Sequence, residues 1–353
     1  MSIDEKRTRI DAIDDEILGL LDERARLARA IGDEKSQQGA GMHDPERERA
    51  VIARLLARAG DFPEHGIRAV FREVMSACLA LEQTLDIAYL GPPGTFSHMA
   101  AESAFGLSPR YVEATTIRAV FDAVLRGHAS YGVVPIENSS EGSVSATLDE
   151  LDRNDLMIRG EILMDIAHCL VGRPGDRGSI ERVYSHPQAL AQCRSWLAEN
   201  LPRAQLVVAP STSAAAREAA EDDRSAAVAS RLAADLAGLS VLFEGIQDRA
   251  ENVTRFVVLG TEDAAPSGRD KTSISFSVRH ERGALRRALE LLEDAGLNLT
   301  HIESRPAVDH IWRYVFFTDF EGHRSDPTVA RALESLAGHA GRVRVLGSYP
   351  RAD

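Results

Sequence analysis

The sequence predicts a multidomain chain: an all-α segment, then a two-lobed α/β segment, then a small β-α-β-β-α-β segment. Three observations predict it. Apolar residues recur every three or four positions through the first 80 or so residues, as amphipathic helices require. Short apolar runs then alternate with helical stretches as far as about residue 260, which argues for mixed or parallel sheets covered by helices. The last 80 residues carry one strand, helix, strand, strand, helix, strand series, the ferredoxin-like order. The polar stretches Gln83–Asp86 and Glu262–Asp270 (EDAAPSGRD) mark the breaks, giving segments 1–85, 86–262 and 271–350.

The totals fit this division. A length of 353 residues suits two or three domains, and 44% hydrophobic with 27% charged residues is ordinary for a soluble globular protein. A net charge of −13 argues against nucleic acid or an anionic membrane as partner. Cys78, Cys169 and Cys193 are widely spaced and form no metal pattern, and an odd, sparse set suits a reducing compartment. The N-terminus reads as charged with no apolar signal segment, and no run approaches 18 apolar residues, so a cytoplasmic location is expected.

In the first segment Ile10, Ile13, Ile17, Leu20, Leu27 and Ile31 form one stripe, predicting a helix from near Asp4 to Lys35. Asp44 and Pro45 read as an N-cap and first helical residue. A third helix is predicted from Glu64 to Gln83 with Ile67, Phe71, Val74, Cys78 and Leu81 inward. Charges fall on or beside the apolar faces: Arg7, Arg24, Lys35 and Arg47 against Asp44, Glu48 and Glu82. Buried charges must be paired or meet a ligand. Internal ion pairs are one reading; the surplus of cations favours a dicarboxylate guest. Arg7 and Arg24 are 17 residues apart, about 25 Å along a helix. Both cannot grip one small ligand from the same chain, so using both requires a dimer.

Arg7, ERARLA (Glu23–Ala28), Lys35, DPERE (Asp44–Glu48) and FREVMSACLALEQ (Phe71–Gln83) resemble the all-helical chorismate mutase family. The resemblance implies an interlaced homodimer binding chorismate. Arg24, Lys35 and Arg47 would hold its carboxylates and ether oxygen, with Arg7 entering from the other subunit; Asp44 and Glu48 would contact the ring hydroxyl. Cys78 stands where some relatives have serine. The family often has an amide where Glu82 stands, and a carboxylate donates a hydrogen bond only when protonated. The rearrangement to prephenate is pericyclic and needs no cofactor, only a compact conformer and matching charge.

In the second segment Asp86–Leu90 reads as a strand followed by the loop GPPGTFS, with Ser97 as helix cap. Tyr111–Ala114, Tyr131–Ile136, Ile162–Val171, Glu181–Tyr184, Leu206–Val208, Ala226–Ala229 and Phe256–Leu259 read as further strands. Helices are predicted over Ile117–Arg126 and Val144–Leu151, and from near Pro187, Ser211 and Ser230. The stretch YGVVPIENSSEGSV (Tyr131–Val144) ends in two carboxylates, an amide and three hydroxyls, placed where ligands sit in open α/β sheets. A solvated turn capped by Ser143 or Ser145 is the plainer alternative. His186 alone reads as a structural histidine, and Thr254 alone as a strand residue.

GPPGTFS, GVVPIENSSEGSV, SHPQALAQC (Ser185–Cys193), STSAAA (Ser211–Ala216) and NVTRF (Asn252–Phe256) together resemble prephenate dehydratase. This implies a cleft in which Thr254 acts at the C4 hydroxyl of prephenate, and Arg255 with backbone amides of Gly94–Ser97 holds a carboxylate. Thr95, Ser97, Glu137, Asn138, Ser185, His186, Gln192 and Phe256 would line the site. Pro93 stands where relatives more often have glutamate.

In the third segment GALRRAL, NLTHIESRP and LGSYP resemble an ACT domain of the phenylalanine-binding kind. This implies that L-phenylalanine binds near Gly283, Ala284, Leu285, Asn298, Glu303, Ser304, Arg305 and Pro306 and inhibits the dehydratase. The resemblances imply no cofactor and no metal. Two other readings stay open: a dehydratase whose helical segment only dimerises, and a non-catalytic amino-acid sensor.

Overall fold

The computed structural model describes residues 1–38, 45–82, 84–175, 179–249, 251–279, 281–306 and 314–352. It divides into two compact units, Met1–Asp86 with Glu102–Arg110, and Ile87–Ala101 with Tyr111–Asp353. Among the described residues no helix is long and apolar enough to cross a membrane.

The first unit contains α1 (Ile3–Gln38), α2 (Pro45–Leu56) and α3 (Glu64–Glu82). The expected cap Asp44 lies outside the described residues. Helix α1 passes close to the end of α3: a Cβ on Gly32 would stand 2.9 Å from Glu82 Cβ. Ile67, Met75, Cys78 and Leu79 of α3 are buried, whereas Leu81, expected inward, is exposed. The α1 stripe behaves differently from a core: Ile10 is 56% exposed, and Ile13, Ile17, Leu20, Leu27 and Ile31 are exposed with it. Its periodicity fixes a face, but that face is exposed among the described residues.

In the second unit the chain runs β1 (Asp86–Leu90), α4 (Phe96–Phe105), β2 (Arg110–Ala114), α5 (Ile117–Leu125), β3 (Tyr131–Asn138), β4 (Gly142–Ser143), α6 (Ser145–Arg153) and β5 (Met157–Asp165). It continues through β6 (Cys169–Gly172), β7 (Arg182–Ser185), α7 (Pro187–Gln192), α8 (Arg194–Asn200), β8 (Gln205–Val208), α9 (Thr212–Ala220), β9 (Ser225–Ala229), α10 (Arg231–Ala237), β10 (Ser240–Phe243) and β11 (Val253–Gly260). The first sheet has the order β2-β1-β3-β11-β5, with β4 hairpinned onto β3; the second has the order β10-β6-β9-β7-β8. Strand β11 thus returns from the second lobe to the middle of the first.

Local details depart from the sequence reading. Pro135, expected at a strand end or edge, lies inside β3, which is flanked by β1 and β11. The register slips there: Arg255 faces Glu137 and Phe256 faces Pro135, so Ile136 is an extra residue. Such a bulge accommodates the missing proline N–H. The run Ile162–Val171 is two strands in different sheets, broken at Ile166–His168, where the chain crosses between lobes. Helix α4 is capped by Thr95, whose Oγ1 accepts from His98 N, not by Ser97. Helix α6 begins after Val144 with no side-chain cap from Ser143 or Ser145.

The last part comprises β12 (Asp270–Ser277), α11 (Ala284–Asp294), β13 (Leu299–Pro306), β14 (Tyr314–Glu321), α12 (Pro327–His339) and β15 (Arg342–Pro350), in antiparallel order β13-β14-β12-β15. This is the expected ferredoxin-like arrangement. It is packed on the first lobe: Phe317, Leu346 and Tyr349 share one core with Val134, Val257 and Ile158. At Gly347 (φ 154) a Cβ would stand 2.3 Å from Ile158 O, so only glycine allows that approach. Nor is Glu262–Asp270 a loose connection; Ala264 is buried and its carbonyl meets His323 Nε2 at 3.1 Å.

Candidate active sites

The geometry around Thr254 is set by backbone. The turn after β3 aims the N–H groups of Ser140 (2.9 Å) and Glu141 (3.1 Å) at Asn138 Oδ1. Backbone N–H groups only donate, so this end of the amide is the oxygen. The other end, Nδ2, then donates to Thr254 Oγ1 (2.8 Å) and Asn252 Oδ1 (2.9 Å). Thr254 therefore accepts from Asn138, and its own proton is left to donate elsewhere. Register explains the meeting: Asn138 and Thr254 are directly paired across β3 and β11.

Asn252 Nδ2 continues to Gln192 Oε1 (3.3 Å) at the end of α7, which brings a second-lobe residue to the first-lobe strand. Beside these groups lies a pocket of about 320 Å³ lined by Ser140, Glu141, Ala191, Gln192, Gln247, Asp248, Arg249 and Asn252. Its walls come from both lobes, and its size is in the range of small-molecule sites.

The structure separates other expected site residues from this network. Arg255 follows Thr254 in an extended strand and so points to the opposite face. There it is buried, with Nε 2.8 Å from Glu161 Oε2, Nη1 2.6 Å from Asp319 Oδ2 and Nη2 2.8 Å from Tyr349 Oη. Lys271 Nζ completes the cluster at 2.8 Å from Glu161. Two cations thus meet two buried carboxylates, and the expectation that Arg255 grips substrate is revised. Glu137 shares the Arg255 side, 3.6 Å from Arg255 Nη1 and from His301 Nδ1. Phe256 is core. Ser185 is fully buried and donates to Val228 O (2.6 Å). His186 caps α7, its Nδ1 accepting from Gln188 N.

The Gly91–Ser97 loop is pinned. Gly94 adopts φ 86, and a Cβ there would meet Ala233 Cα at 2.9 Å. Ser230 Oγ donates to Gly94 O (2.7 Å), and Ser213 Oγ donates to Pro93 O. Gly94 N is taken by His98 Nδ1 (3.2 Å) and Thr95 N by Pro92 O (3.3 Å), so those two amides do not await a carboxylate. Thr95 Oγ1 donates to Leu90 O (3.1 Å), and Ser97 is buried.

In the helical unit Arg24 Nη1 donates to Val74 O (3.2 Å), fixing α1 to α3. Arg24 and Lys35 both act on Glu82. Burial nevertheless dominates and holds the Glu82 carboxyl above the usual carboxylate range, the two cations pulling against it. Arg7 is exposed and, among the described residues, lies 3.8 Å from Asp4. Cys78 is buried; Arg47 is exposed and Glu48 half-buried.

In the terminal sheet Gly283 (φ 74) starts α11 without a side-chain cap. Ala284 and Leu285 are half-buried, and Asn298 is exposed, its carbonyl accepting from Glu321 N (3.0 Å). The β13 pleat splits Glu303 and Arg305 from the exposed Ser304 and Pro306, and Arg305 is engaged by Asp149 at 3.1 Å.

Family models match in order: chorismate mutase type II over residues 6–83, prephenate dehydratase over 87–264 and ACT domain over 272–338. The chain is 47% identical over 353 residues to the bifunctional chorismate mutase/prephenate dehydratase of Aquifex aeolicus strain VF5, covering 99% of this chain and 98% of that one. The chain belongs to the bifunctional chorismate mutase/prephenate dehydratase family. The Stutzerimonas stutzeri member is 43% identical over 98% of this chain and 97% of its own. The crystal structure of prephenate dehydratase from Arthrobacter aurescens in complex with L-Phe aligns with TM-score 0.71 and 38% identity, over 76% of this chain and 91% of that one.

For a member of the bifunctional chorismate mutase/prephenate dehydratase family, sequence reasoning missed two groups of the hydrogen-bond network that runs from Thr254 through Asn138 to Gln192. Asn252 opens the NVTRF motif, and a polar residue two before a strand threonine was the available signal. His168 was hidden inside an apolar run that reads as a continuous strand.

Proposed function

We propose that residues 1–85 rearrange chorismate to prephenate and that residues 86–262 convert prephenate to phenylpyruvate, with L-phenylalanine inhibiting through residues 271–350. The enzyme works as a cytoplasmic homodimer or higher homo-oligomer. Two features support this beyond the family relationship: the Arg24, Lys35 and Glu82 grouping in the helical unit, and the polarity of the Asn138–Thr254 pair, which carries the dehydratase assignment.

In the second reaction the bond to the ring carboxylate breaks, releasing CO₂, and its electron pair enters the ring. The C4–O bond breaks at the far side, and the departing oxygen takes one proton, drawn from solvent, to leave as water. Thr254 O–H, freed to donate because Asn138 already donates to its oxygen, stabilises that departing oxygen. Gln192 and Arg249, both lining the pocket, hold carboxylate groups in place of Arg255. Aromatisation supplies the driving force, so orientation and a proton donor suffice.

In the first reaction Arg24 and Lys35 match the carboxylates and ether oxygen in the compact conformer, joined by Asp44, Arg47 and Glu48 of the same chain and Arg7 of the other. The uncovered α1 stripe favours pairing of two copies, because a contiguous apolar face of that length is seldom left in water.

The test supplies chorismate and follows phenylpyruvate with and without phenylalanine. Arg24→Ala should stop the first step and leave conversion of added prephenate. Thr254→Val should do the reverse and accumulate prephenate. Wild-type protein that turns over neither substrate contradicts the proposal.

A further inference from the structure

We propose that His168 is a positioning residue of the dehydratase site, holding the Gln192 amide so that its Nε2 donors face bound prephenate. This rests on the dehydratase reading of the Thr254 site and names a part of it that no motif marked.

The chain of donors and acceptors leaves little freedom. The Ser140 and Glu141 N–H groups fix Asn138 Oδ1, so Asn138 Nδ2 donates to Asn252 Oδ1. Asn252 Nδ2 must then be the group that donates to Gln192 Oε1. His168 Nε2 lies 2.8 Å from the same Gln192 Oε1. An amide oxygen cannot donate, so His168 carries a proton on Nε2. Both lone pairs of Gln192 Oε1 are then occupied, and rotating this amide would break both bonds. Its NH₂ is left for the pocket that Gln192 lines.

The imidazole is held for this task. Its backbone N–H donates to Gln247 Oε1 (3.0 Å), and its carbonyl accepts from Ile246 N (3.0 Å). Phe96 meets the ring edge-on, centroids 5.5 Å apart. His168 is buried, which keeps its pKa below the ordinary histidine value and the ring neutral. With Nε2 protonated, Nδ1 is bare, and it is buried with no hydrogen-bond partner among the described residues. A neutral ring whose proton is committed to Gln192 is not the acid of the reaction; its part is to hold the amide.

Two measurements on the full-length protein test this. Histidine ¹⁵N shifts report the tautomer directly: Nε2–H for His168 is expected, and Nδ1–H overturns the inference. In prephenate kinetics His168→Phe keeps the ring volume and loses the donor, so kcat/KM should fall about tenfold, the scale of one neutral hydrogen bond. His168→Gln keeps a donor and should recover most of that loss. His168→Phe combined with Gln192→Leu should be no slower than Gln192→Leu alone. Equal losses for His168→Gln and His168→Phe, or multiplying losses in the double variant, contradict the role. Absence of wild-type turnover on prephenate would instead reject the dehydratase reading, while the tautomer still judges the network.

Discussion

Arg255 Nη1 sits 2.6 Å from Asp319 Oδ2, one residue along β11 from Thr254 and on the other face of the strand. Strand β11 is therefore tied to the terminal sheet by a buried charge pair immediately behind the residue proposed to act on prephenate. Glu161, Lys271 and Tyr349 close the cluster.

Removing one member leaves an uncompensated buried charge, which is costly. Asp319→Ala should lower the unfolding free energy by about 3–5 kcal/mol, read by urea denaturation of the dehydratase transition. A change within the range of a surface substitution would show that Arg255 finds solvent or another partner.

Asn138→Asp tests the polarity of the pair. The Ser140 and Glu141 amides still hold one carboxylate oxygen, but the other cannot donate to Thr254. The Thr254 hydroxyl would turn to donate to it and be withdrawn from the substrate. The expected result is a fall in kcat with prephenate of about a hundredfold or more, the scale of a lost proton donor, with chorismate turnover retained. Unchanged kcat would mean that Thr254 is not oriented by this amide.

Glu82 gives a pH signature. Burial raises its pKa above the usual carboxylate value, so the protonated, donating form persists to higher pH and is lost as pH rises through that value. Mutase activity should therefore decline with rising pH in the wild type, and Glu82→Gln, which always donates, should lack the decline. A flat wild-type profile would remove Glu82 from the ether-oxygen role.

The dimer makes a mixing prediction. If each mutase site takes Arg24 from one chain and Arg7 from the other, a heterodimer of Arg7→Ala and Arg24→Ala contains one intact site. Remixed in equal amounts, two inactive variants should recover roughly a quarter of wild-type mutase activity, the statistical share for a two-fold assembly. No recovery after verified subunit exchange would place both arginines in the same site or neither.

Much of this architecture was legible in the sequence, because helical period and turn residues act locally. The six elements of the terminal segment and the helix start at Pro187 follow from such signals. What was not legible depended on neighbours in space. Pro135 looked like a strand end because the bulge that accommodates it belongs to the pairing with β11. Residues 162–171 read as one strand because the break at His168 is apolar on both sides. The α1 stripe looked like a core, yet Ile17 and Leu20 are exposed in the single chain. At the site, the pairing of Asn138 with Thr254 is a cross-strand register that spacing alone cannot give, and the pleat that turns Arg255 away was masked by its place in the same motif.

The most direct test of the central claim compares Thr254→Ser and Thr254→Val in single-turnover conversion of prephenate to phenylpyruvate. Serine keeps a hydroxyl that can accept from Asn138 and donate to the leaving oxygen; valine keeps the shape alone. The account predicts that serine stays within about tenfold of wild type and that valine loses on the order of a thousandfold. Valine turning over prephenate at a rate close to that of serine would contradict it.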